Sequence, residues 1–379
     1  MLARRACALP GFSRRAWAAD NPNDRNRLRK LDAAGGPVRM NPNLAQRAVE
    51  LLNRLFGPRN RYFETTMRSE QEAFEYSVRA GQIVYEQFAG WNDLAGKVVL
   101  DFGCGGGGKT VYYATQGARW TIGVDRELNT RRAAKYARER GLAVQFMPLG
   151  RYGRVPLADN TCDVVINSSV LEHVEDLNGV FRELHRVLKP RGSLLNRWHP
   201  YRSRYGAHLW AAIGIPFAHL LFRESDLVQV YYRTMVKRFG RVPPGVGSVT
   251  ARSQSFADLT YALNRRSVRE MRRALEQAGF EIQVRRHFWN TRQVHYTRYL
   301  PQSWIDYAID YEVQVCRKRT LARVRAAAPS HERLLSWLAL GAPDRESLAK
   351  KPAAAPAFEL GAPAGIHGGE WNAGCVEGV

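Results

Sequence analysis

Short apolar runs alternate with stretches of helical spacing along the chain from about residue 97. Five runs in succession have the length of buried strands: 98–100, 120–124, 144–147, 163–167 and 193–198. Between the runs, apolar residues recur every three or four positions, as they do over 177–188. Ser267 and Glu270 have capping-box spacing and start another helix, and strands over 280–284 and 312–316 follow it. This alternation predicts a doubly wound, mostly parallel α/β sheet of seven strands.

Two regions do not follow this alternation. The stretch 41–95 has helical patterns ahead of the first strand, and 199–266 interrupts the chain after strand five. Insertions on an α/β scaffold usually lie beside the carboxyl ends of the strands, where they form lids or substrate walls. We therefore divide the chain into a disordered arm (1–40), an N-terminal helical cap (41–95), a core (96–198), an inserted lid or substrate region (199–266), a core continuation with strands six and seven (267–320), a C-terminal helical segment (321–349) and a disordered tail (350–379).

The chain carries a net charge of +22, from 57 basic and 35 acidic side chains. Most of the excess is arginine, spread from end to end, so a solvated basic surface explains it better than a dedicated polyanion site. A nucleic-acid partner is therefore not favoured, and peripheral membrane contact stays open. The most apolar stretch, 207–222, contains Gly214, Pro216 and two histidines, which is unlike a membrane-spanning helix.

The five cysteines are scattered and include no CxxC pair: Cys7, Cys104, Cys162, Cys316 and Cys375. This pattern argues against a disulfide framework or structural zinc and is typical of a reducing compartment. We predict a cytoplasmic protein without a metal site. The pattern does not indicate an oligomeric state.

A glycine-rich turn follows the first strand in the sequence VVLDFGCGGGG, residues 98–108. Glycines allow sharp turns and a close approach to a ligand, and the next helix offers free N–H groups to an anionic ligand. The GxGxxG within it also matches a dinucleotide fingerprint or a plain strand-to-helix turn. Asp101 stands where dinucleotide binders have an apolar residue, and Asp125 ends the second strand, where it can accept both hydroxyls of a ribose.

The motifs LDFGCGGGG, GVD, SSVLEHV and LKPRG occur in that order. Together they resemble the class I S-adenosylmethionine-dependent methyltransferases, specifically the small-molecule "type 11" branch that includes ubiquinone-biosynthesis enzymes. The resemblance covers about residues 85–198 well and 267–290 more loosely. It implies a Rossmann-like fold in which the core 96–198 binds S-adenosylmethionine.

The resemblance also implies roles for individual residues. Those expected beside the methionine part of the cofactor are Asp101, Gly103, Gly105 and Gly107. Asp125 would bind the ribose, Arg126 would lie beside the adenine, and the residues near the sulfonium would be Ser168, Ser169 and Leu171. The acid that family members use for the adenine amino group is missing, because Arg151 and Tyr152 hold its place. Adenine recognition through the backbone and stacking on Tyr152 are both open.

Methyl transfer from a sulfonium mainly requires alignment, and an oxygen or nitrogen nucleophile must also lose a proton. His199 and His173 both follow carboxyl ends of strands and are the candidate bases. For His173, support of the fold is the competing interpretation. The weaker candidates are Tyr201, Tyr205 and His208.

Two further segments have competing interpretations. The apolar part of the insertion, 205–222, either packs the lid onto the core or forms a pocket for a lipid, prenyl or aromatic acceptor. The arginine-rich stretch 265–298 fits a solvated face better than an RNA surface.

These observations predict methyl transfer to an oxygen, nitrogen or carbon of a small-molecule acceptor, which could resemble a lipid or glycolipid. An RNA methyltransferase is the first alternative, although residues 167–170 lack the NPPY-type tetrapeptide of base N-methylating enzymes. An NAD-dependent oxidoreductase is disfavoured by Asp101 and the SSVLEHV segment. A non-catalytic cofactor-binding partner protein is the third alternative.

Overall fold

The computed structural model describes residues 42–57, 70–150, 153–240, 249–256, 263–290 and 292–319. The strands in these ranges are β1 (Val98–Phe102), β2 (Trp120–Asp125), β3 (Val144–Pro148), β4 (Cys162–Ser168), β5 (Leu188–Trp198), β6 (Phe280–Trp289), β7 (Arg292–Val294) and β8 (Tyr311–Lys318). The helices are α1 (Leu44–Phe56), α2 (Glu70–Gln87), α3 (Gly108–Thr115), α4 (Arg131–Glu139), α5 (Leu177–Val187), α6 (Ala218–Leu221), α7 (Glu224–Phe239), α8 (Val268–Gln277) and α9 (Ile305–Ala308).

All eight strands form one sheet in the order β3-β2-β1-β4-β5-β8-β6-β7. The pairs from β3 to β5 are parallel, whereas β8 runs antiparallel to both β5 and β6. The predicted doubly wound α/β class is confirmed, but the predicted count of seven strands is wrong. The additional strand, β7, is three residues long and forms an antiparallel hairpin with β6. It is too short for an alternating pattern to reveal it.

Helices cover both faces of the sheet. On one face, α5 and α8 bury Phe181, Leu184 and Met271 against the strands. On the other face, α2, α3 and α4 pack together, and Val78 and Val111 are buried there. The parallel strands are buried on both sides, which explains why they appear in the sequence as continuous apolar runs.

One predicted helix begins later than expected. The spacing predicts a helix over 127–140, but α4 begins at Arg131. The residues before it form a turn in which the Asp125 carboxylate accepts the Glu127 N–H at 3.2 Å. Asp at the end of a strand competes for backbone N–H groups in this way, and apolar periodicity does not register such a turn.

The two helices of the expected N-terminal cap lie in different parts of the molecule. Helix α2 packs on the sheet layer, where Gly81 lies so close to α3 that a Cβ would meet the Tyr112 Cβ at 2.8 Å. Helix α1 instead joins the insertion, because Asn43 and Gln46 donate to the buried Asp226 carboxylate of α7 at 2.8 and 3.1 Å. Val49 of α1 is fully buried in the apolar core of the insertion.

The insertion follows β5 and ends at α8, so it starts from the carboxyl edge of the sheet. Its described part contains α6 and α7 and has an apolar core of its own. Among the residues that the structure describes, none forms a helix both long and apolar enough to cross a bilayer. The predictions for 1–40, 321–349 and 350–379 concern segments outside the described residues.

Candidate functional site

Strands β1, β2, β4 and β5 are parallel neighbours, so their carboxyl ends meet at one edge of the sheet. The residues expected to bind the cofactor follow these strand ends. In an open α/β sheet, this edge is where ligands bind, at the point where the strand order reverses. Here the order reverses between β1 and β4, and the glycine-rich turn lies directly above that point.

The turn after β1 is held tightly to its neighbours. The N–H groups of Gly103 and Cys104 both donate to the Val124 carbonyl, at 2.8 and 3.0 Å. Gly103 has φ of +79°, and a Cβ there would lie 2.1 Å from the Val170 side chain. Only glycine fits this position, because an L side chain would both adopt the left-handed region and collide with Val170. The turn is thereby pressed against the segment that follows β4.

Gly107 and Gly105 complete the expected set of glycines. Gly107 has φ of +80°, and a Cβ there would meet the Phe146 ring at 2.7 Å. Gly105 directs its N–H to an Asp125 carboxylate oxygen at 2.9 Å. The glycines leave most of the turn without side chains, which allows its backbone to approach a ligand closely.

Asp101 is buried at the end of β1, with 1% of its surface exposed. The Thr110 hydroxyl donates to its carboxylate at 2.6 Å. Burial raises the pKa of Asp101 to about 6, and the nearby Lys109 ammonium and the Thr110 hydrogen bond partly oppose that rise. A carboxylate held in this environment at neutral pH favours a cationic ligand group.

Asp125 ends β2 and lies partly exposed at the same edge. Its carboxylate accepts the Gly105 N–H and the Glu127 N–H, and its carbonyl accepts the Leu149 N–H at 2.8 Å. Each carboxylate oxygen has a second lone pair, so the group can still accept two hydroxyls. Arg126 is exposed beside it. Arg151 and Tyr152 lie outside the described residues, so the role of Tyr152 stays a prediction.

The segment after β4 lies against this turn. Ser168 is buried, and its carbonyl accepts the Lys109 ammonium at 3.3 Å. Ser169 has φ of +55°, and its hydroxyl accepts a hydrogen bond from the Arg197 guanidinium at 3.2 Å. A non-glycine residue in the left-handed region is uncommon, and its surroundings must hold it there. Leu171 is fully buried beneath this segment.

Asn264 fastens the turn at Leu171–His173 to the end of the insertion. Its side-chain amide donates to the Leu171 and Val174 carbonyls, at 2.6 and 2.8 Å. Its own N–H donates to the Glu172 carbonyl at 2.8 Å. The insertion therefore closes back on the residues expected beside the sulfonium.

His199 is 6% exposed and lies at the end of β5. Its Nδ1 is 3.1 Å from the Asp310 carbonyl oxygen. A carbonyl oxygen only accepts, so Nδ1 carries the proton and the neutral ring has its lone pair on Nε2. This tautomer can act as a proton acceptor through Nε2.

His208 connects the two candidate bases, which sequence spacing did not anticipate. Its ring centroid lies 5.6 Å from that of His199 and 5.0 Å from that of His173. Its Nε2 is 4.0 Å from a Glu172 carboxylate oxygen. Within the described part of the chain, Glu172, His173 and His208 form a group whose possible ligand atoms all lie within 4.8 Å of one another.

The other weaker candidates have structural contacts. Arg265 lies over the Tyr201 ring at 5.4 Å, and Arg204 lies over the Tyr205 ring at 4.7 Å. The apolar residues of 205–222 that include Leu209, Trp210 and Ile213 are buried in the insertion core. This burial supports the packing interpretation of that segment.

Sequence reasoning missed two groups at this edge. Arg197 is 1% exposed and stacks over the Tyr311 ring at 4.0 Å. Arg204 binds the buried Asp310 carboxylate with two nitrogens, at 2.7 and 3.2 Å. The signal for Arg197 was present, since a charged residue within an apolar strand usually has a specific partner. No local signal joins Arg204 to a residue 106 positions away.

The comparisons with known proteins agree with this arrangement. Residues 100–196 match a family model described as a methyltransferase domain. The ubiquinone biosynthesis O-methyltransferase of Pseudomonas syringae pv. tomato is 33% identical over 126 residues, which cover 33% of this chain and 53% of that protein. The enzyme of that name from Pseudomonas paraeruginosa is 37% identical over 129 residues, with the same two coverages. The chain thus spans about half the length of these curated relatives.

More distant proteins also match. The sterol 24-C-methyltransferase of Pneumocystis carinii is 28% identical over 127 residues, which cover 33% of each chain. A crystal structure of an S-adenosylmethionine dependent methyltransferase from Mesorhizobium loti aligns with a TM-score of 0.40 and 18% identity, over 63% of this chain and 97% of that one. The family match, the strand order and the glycine turn agree on a class I S-adenosylmethionine-dependent methyltransferase domain at residues 100–196.

Proposed function

We propose that this protein transfers the methyl group of S-adenosylmethionine to an oxygen of a small-molecule acceptor. The observation that carries the proposal is the placement of Asp101 and Asp125 at neighbouring strand ends, next to a glycine turn that has no room for a side chain at Gly103 or Gly107. The cofactor has a cationic amino group and sulfonium and a ribose diol, and these two carboxylates suit those groups.

This placement supports the expected roles of the cofactor residues. Asp101 and the backbone of Gly103, Gly105 and Gly107 hold the methionine part, and Asp125 accepts the ribose hydroxyls. Arg126 lies beside the adenine. The residues nearest the sulfonium are Ser168, Ser169 and Leu171, on the segment that Gly103 contacts through Val170.

The reaction requires alignment and the removal of one proton. The acceptor oxygen attacks the methyl carbon, the carbon–sulfur bond breaks, and the products are a methyl ether and S-adenosylhomocysteine. His199 takes the hydroxyl proton on Nε2, since its Nδ1 proton is committed to the Asp310 carbonyl. His173, which lies farther along the turn and contacts His208, takes no proton in this scheme.

Two observations support a small acceptor over RNA. Some arginines of 265–298 bind groups of the protein itself: Arg285 binds the buried Glu312 at 2.6 Å, and Arg286 donates to two backbone carbonyls of the α2 end. Arg265 binds Glu224 at 2.6 Å. The curated relatives carry names of enzymes that act on ubiquinone precursors and sterols. A cytoplasmic location stays a prediction from the scattered cysteines.

Calorimetry tests the proposed cofactor. The wild-type protein should bind S-adenosylmethionine and S-adenosylhomocysteine and should not bind NAD. Asp125→Ala should weaken that binding by about 1.5 to 3 kcal/mol, roughly 10- to 150-fold, because hydrogen bonds to a charged group are lost.

The matched control is Glu139→Ala, which removes an exposed carboxylate at the end of α4 and should bind like wild type. NAD binding without a response to either sulfur ligand would end the methyltransferase proposal. Unchanged affinity in folded Asp125→Ala would remove Asp125 from the ribose site.

A further inference from the structure

The Glu172, His173 and His208 group lies beside the proposed methyl site and belongs to no step described so far. Glu172 and His173 are on the turn at Leu171–His173, directly after the residues placed near the sulfonium. His208 comes from the insertion, with φ of +55°. Residues whose backbone is held in the left-handed region by their surroundings cluster at ligand sites.

The distances in this group suit a metal ion. One ligand atom from each residue lies within 4.8 Å of the others, and His208 Nε2 is 4.0 Å from the Glu172 carboxylate. Around an ion with bonds of about 2.0 to 2.2 Å, ligand atoms lie roughly 3 to 3.5 Å apart. For all three ligands to bond one ion, side-chain rotation must bring these atoms closer by up to about 1.5 Å.

Burial and charge favour a cation at this point. The Glu172 side chain is 4% exposed and that of His208 is 12% exposed. A divalent ion at this point would be surrounded by one carboxylate and two imidazoles, which bind cations when deprotonated.

Hydrogen bonds also hold the turn that carries Glu172 and His173. Asn264 holds the turn through three hydrogen bonds, to the carbonyls of Leu171, Glu172 and Val174. Metal sites depend on such supporting contacts, which keep the ligands oriented before the ion arrives.

We propose that Glu172, His173 and His208 bind a divalent transition-metal ion of the Zn²⁺ type, which holds the acceptor oxygen next to the methyl group. Two imidazoles and one carboxylate are ligands for ions of this class. Three protein ligands leave a coordination position for a water or a substrate oxygen. The proposed acceptor role rests on the proposed function, whereas ion binding does not.

The sequence analysis did not predict this group of ligands and expected no metal site. The cysteine pattern excluded structural zinc of the CxxC kind, and that reasoning does not address histidine sites. Glu172 and His173 are adjacent in the chain, but His208 reaches them only because the insertion folds back over the turn.

Metal content tests the proposal without an acceptor. Untagged full-length protein is stripped with a chelator and titrated with Zn²⁺, and with Co²⁺ for its visible absorption. One ion should bind per chain, with Co²⁺ bands of a site containing nitrogen and oxygen ligands. His208→Ala should weaken binding 100-fold or more, and Glu172→Gln should do the same if it folds.

His295→Ala is the matched control, because it removes an exposed histidine outside the group and should bind the ion like wild type. Equal ion binding by wild type and folded His208→Ala overturns the proposal, and so does the absence of stoichiometric binding. Binding of S-adenosylmethionine to the stripped protein is measured separately. If it is intact while no ion binds, the metal proposal alone has failed; if it is absent while the ion binds, the proposed function has failed.

Discussion

The proposed cofactor edge of the sheet, at the carboxyl ends of β1, β2, β4 and β5, and the insertion that follows β5 hold their polar groups in different ways. At the edge, the partners are near in sequence: Thr110 binds Asp101 nine residues away, and Gly105 binds Asp125 twenty residues away. In the insertion, Arg204 binds Asp310 across 106 residues, and Asn53 binds Gly214 across 161. The edge is thus built from local turns, whereas the insertion depends on distant partners. Substitutions in the two regions should therefore have different effects on stability and on cofactor affinity.

The largest effect should come from Arg204→Met, which removes the ion pair between the insertion and Asp310, just before β8. Arg204 and Asp310 are 14% and 6% exposed at their side chains. Removing one partner of a buried pair typically costs about 3 to 5 kcal/mol, since the other charge stays buried. Urea denaturation should show a loss of that size.

Lys135→Met is the control for Arg204→Met, because the Lys135–Glu139 pair is exposed and should cost less than about 1 kcal/mol. Equal losses in the two variants would mean that the Arg204 contact does not hold the insertion.

Gly103→Ala should damage the cofactor edge almost as much. The left-handed conformation costs an alanine about 1 to 2 kcal/mol, and the collision with Val170 adds roughly 1 to 3 kcal/mol. The unfolding free energy and the affinity for S-adenosylmethionine should both fall.

Gly106→Ala provides the matched comparison with Gly103→Ala, since a Cβ there meets no atom within 4 Å and its φ is not in the left-handed region. It should change stability by less than about 1 kcal/mol. Two equally tolerant variants would contradict the tight contact between the turn and Val170.

His199→Ala should lower turnover without changing cofactor affinity. Loss of a general base lowers turnover about 100-fold or more, while cofactor affinity should stay near wild type. Steady-state rates and calorimetry on one preparation make the comparison, with His295→Ala as the exposed-histidine control. Normal turnover with impaired cofactor binding would assign His199 to the cofactor side and remove it from the mechanism.

Asp101→Asn should give a smaller effect that depends on pH. Burial raises the pKa of Asp101 to about 6 from an ordinary value of 3.8, so the folded chain binds a proton that the unfolded chain has lost. Wild type therefore loses stability as pH rises from about 4 to 6, by about 3 kcal/mol in all. The variant should be more stable at pH 8, should lose that advantage towards pH 4, and should bind the cofactor more weakly.

Asp93→Asn is the control for this pH dependence, because Asp93 is exposed and a hydrogen bond from Lys97 lowers its pKa. It should not gain stability at pH 8. A constant difference between wild type and Asp101→Asn across the pH range would contradict the raised pKa.

The same contrast explains what the sequence could predict. The order of strands and helices from Val98 to Trp198 followed from apolar periodicity, and Asp101 and Asp125 followed from their spacing to the glycines. The late start of α4, the separation of α1 from α2 and the strand β7 did not, because turn hydrogen bonds, tertiary packing and a three-residue hairpin leave no periodic signal. For the same reason His208 was only one of several candidate histidines until the fold placed it between His173 and His199.

The contact between α1 and the insertion has a consequence for folding during synthesis. The Asn53 side chain donates to the Ala212 carbonyl and accepts the Gly214 N–H, and Asn43 reaches Asp226 of α7. The ribosome therefore synthesises α1 long before any of these partners. Strands β1 to β5 have also been synthesised by the time the partners appear. We expect α1 to dock late, after a slow closure of a long loop. The insertion should therefore be the last part of the described chain to become native.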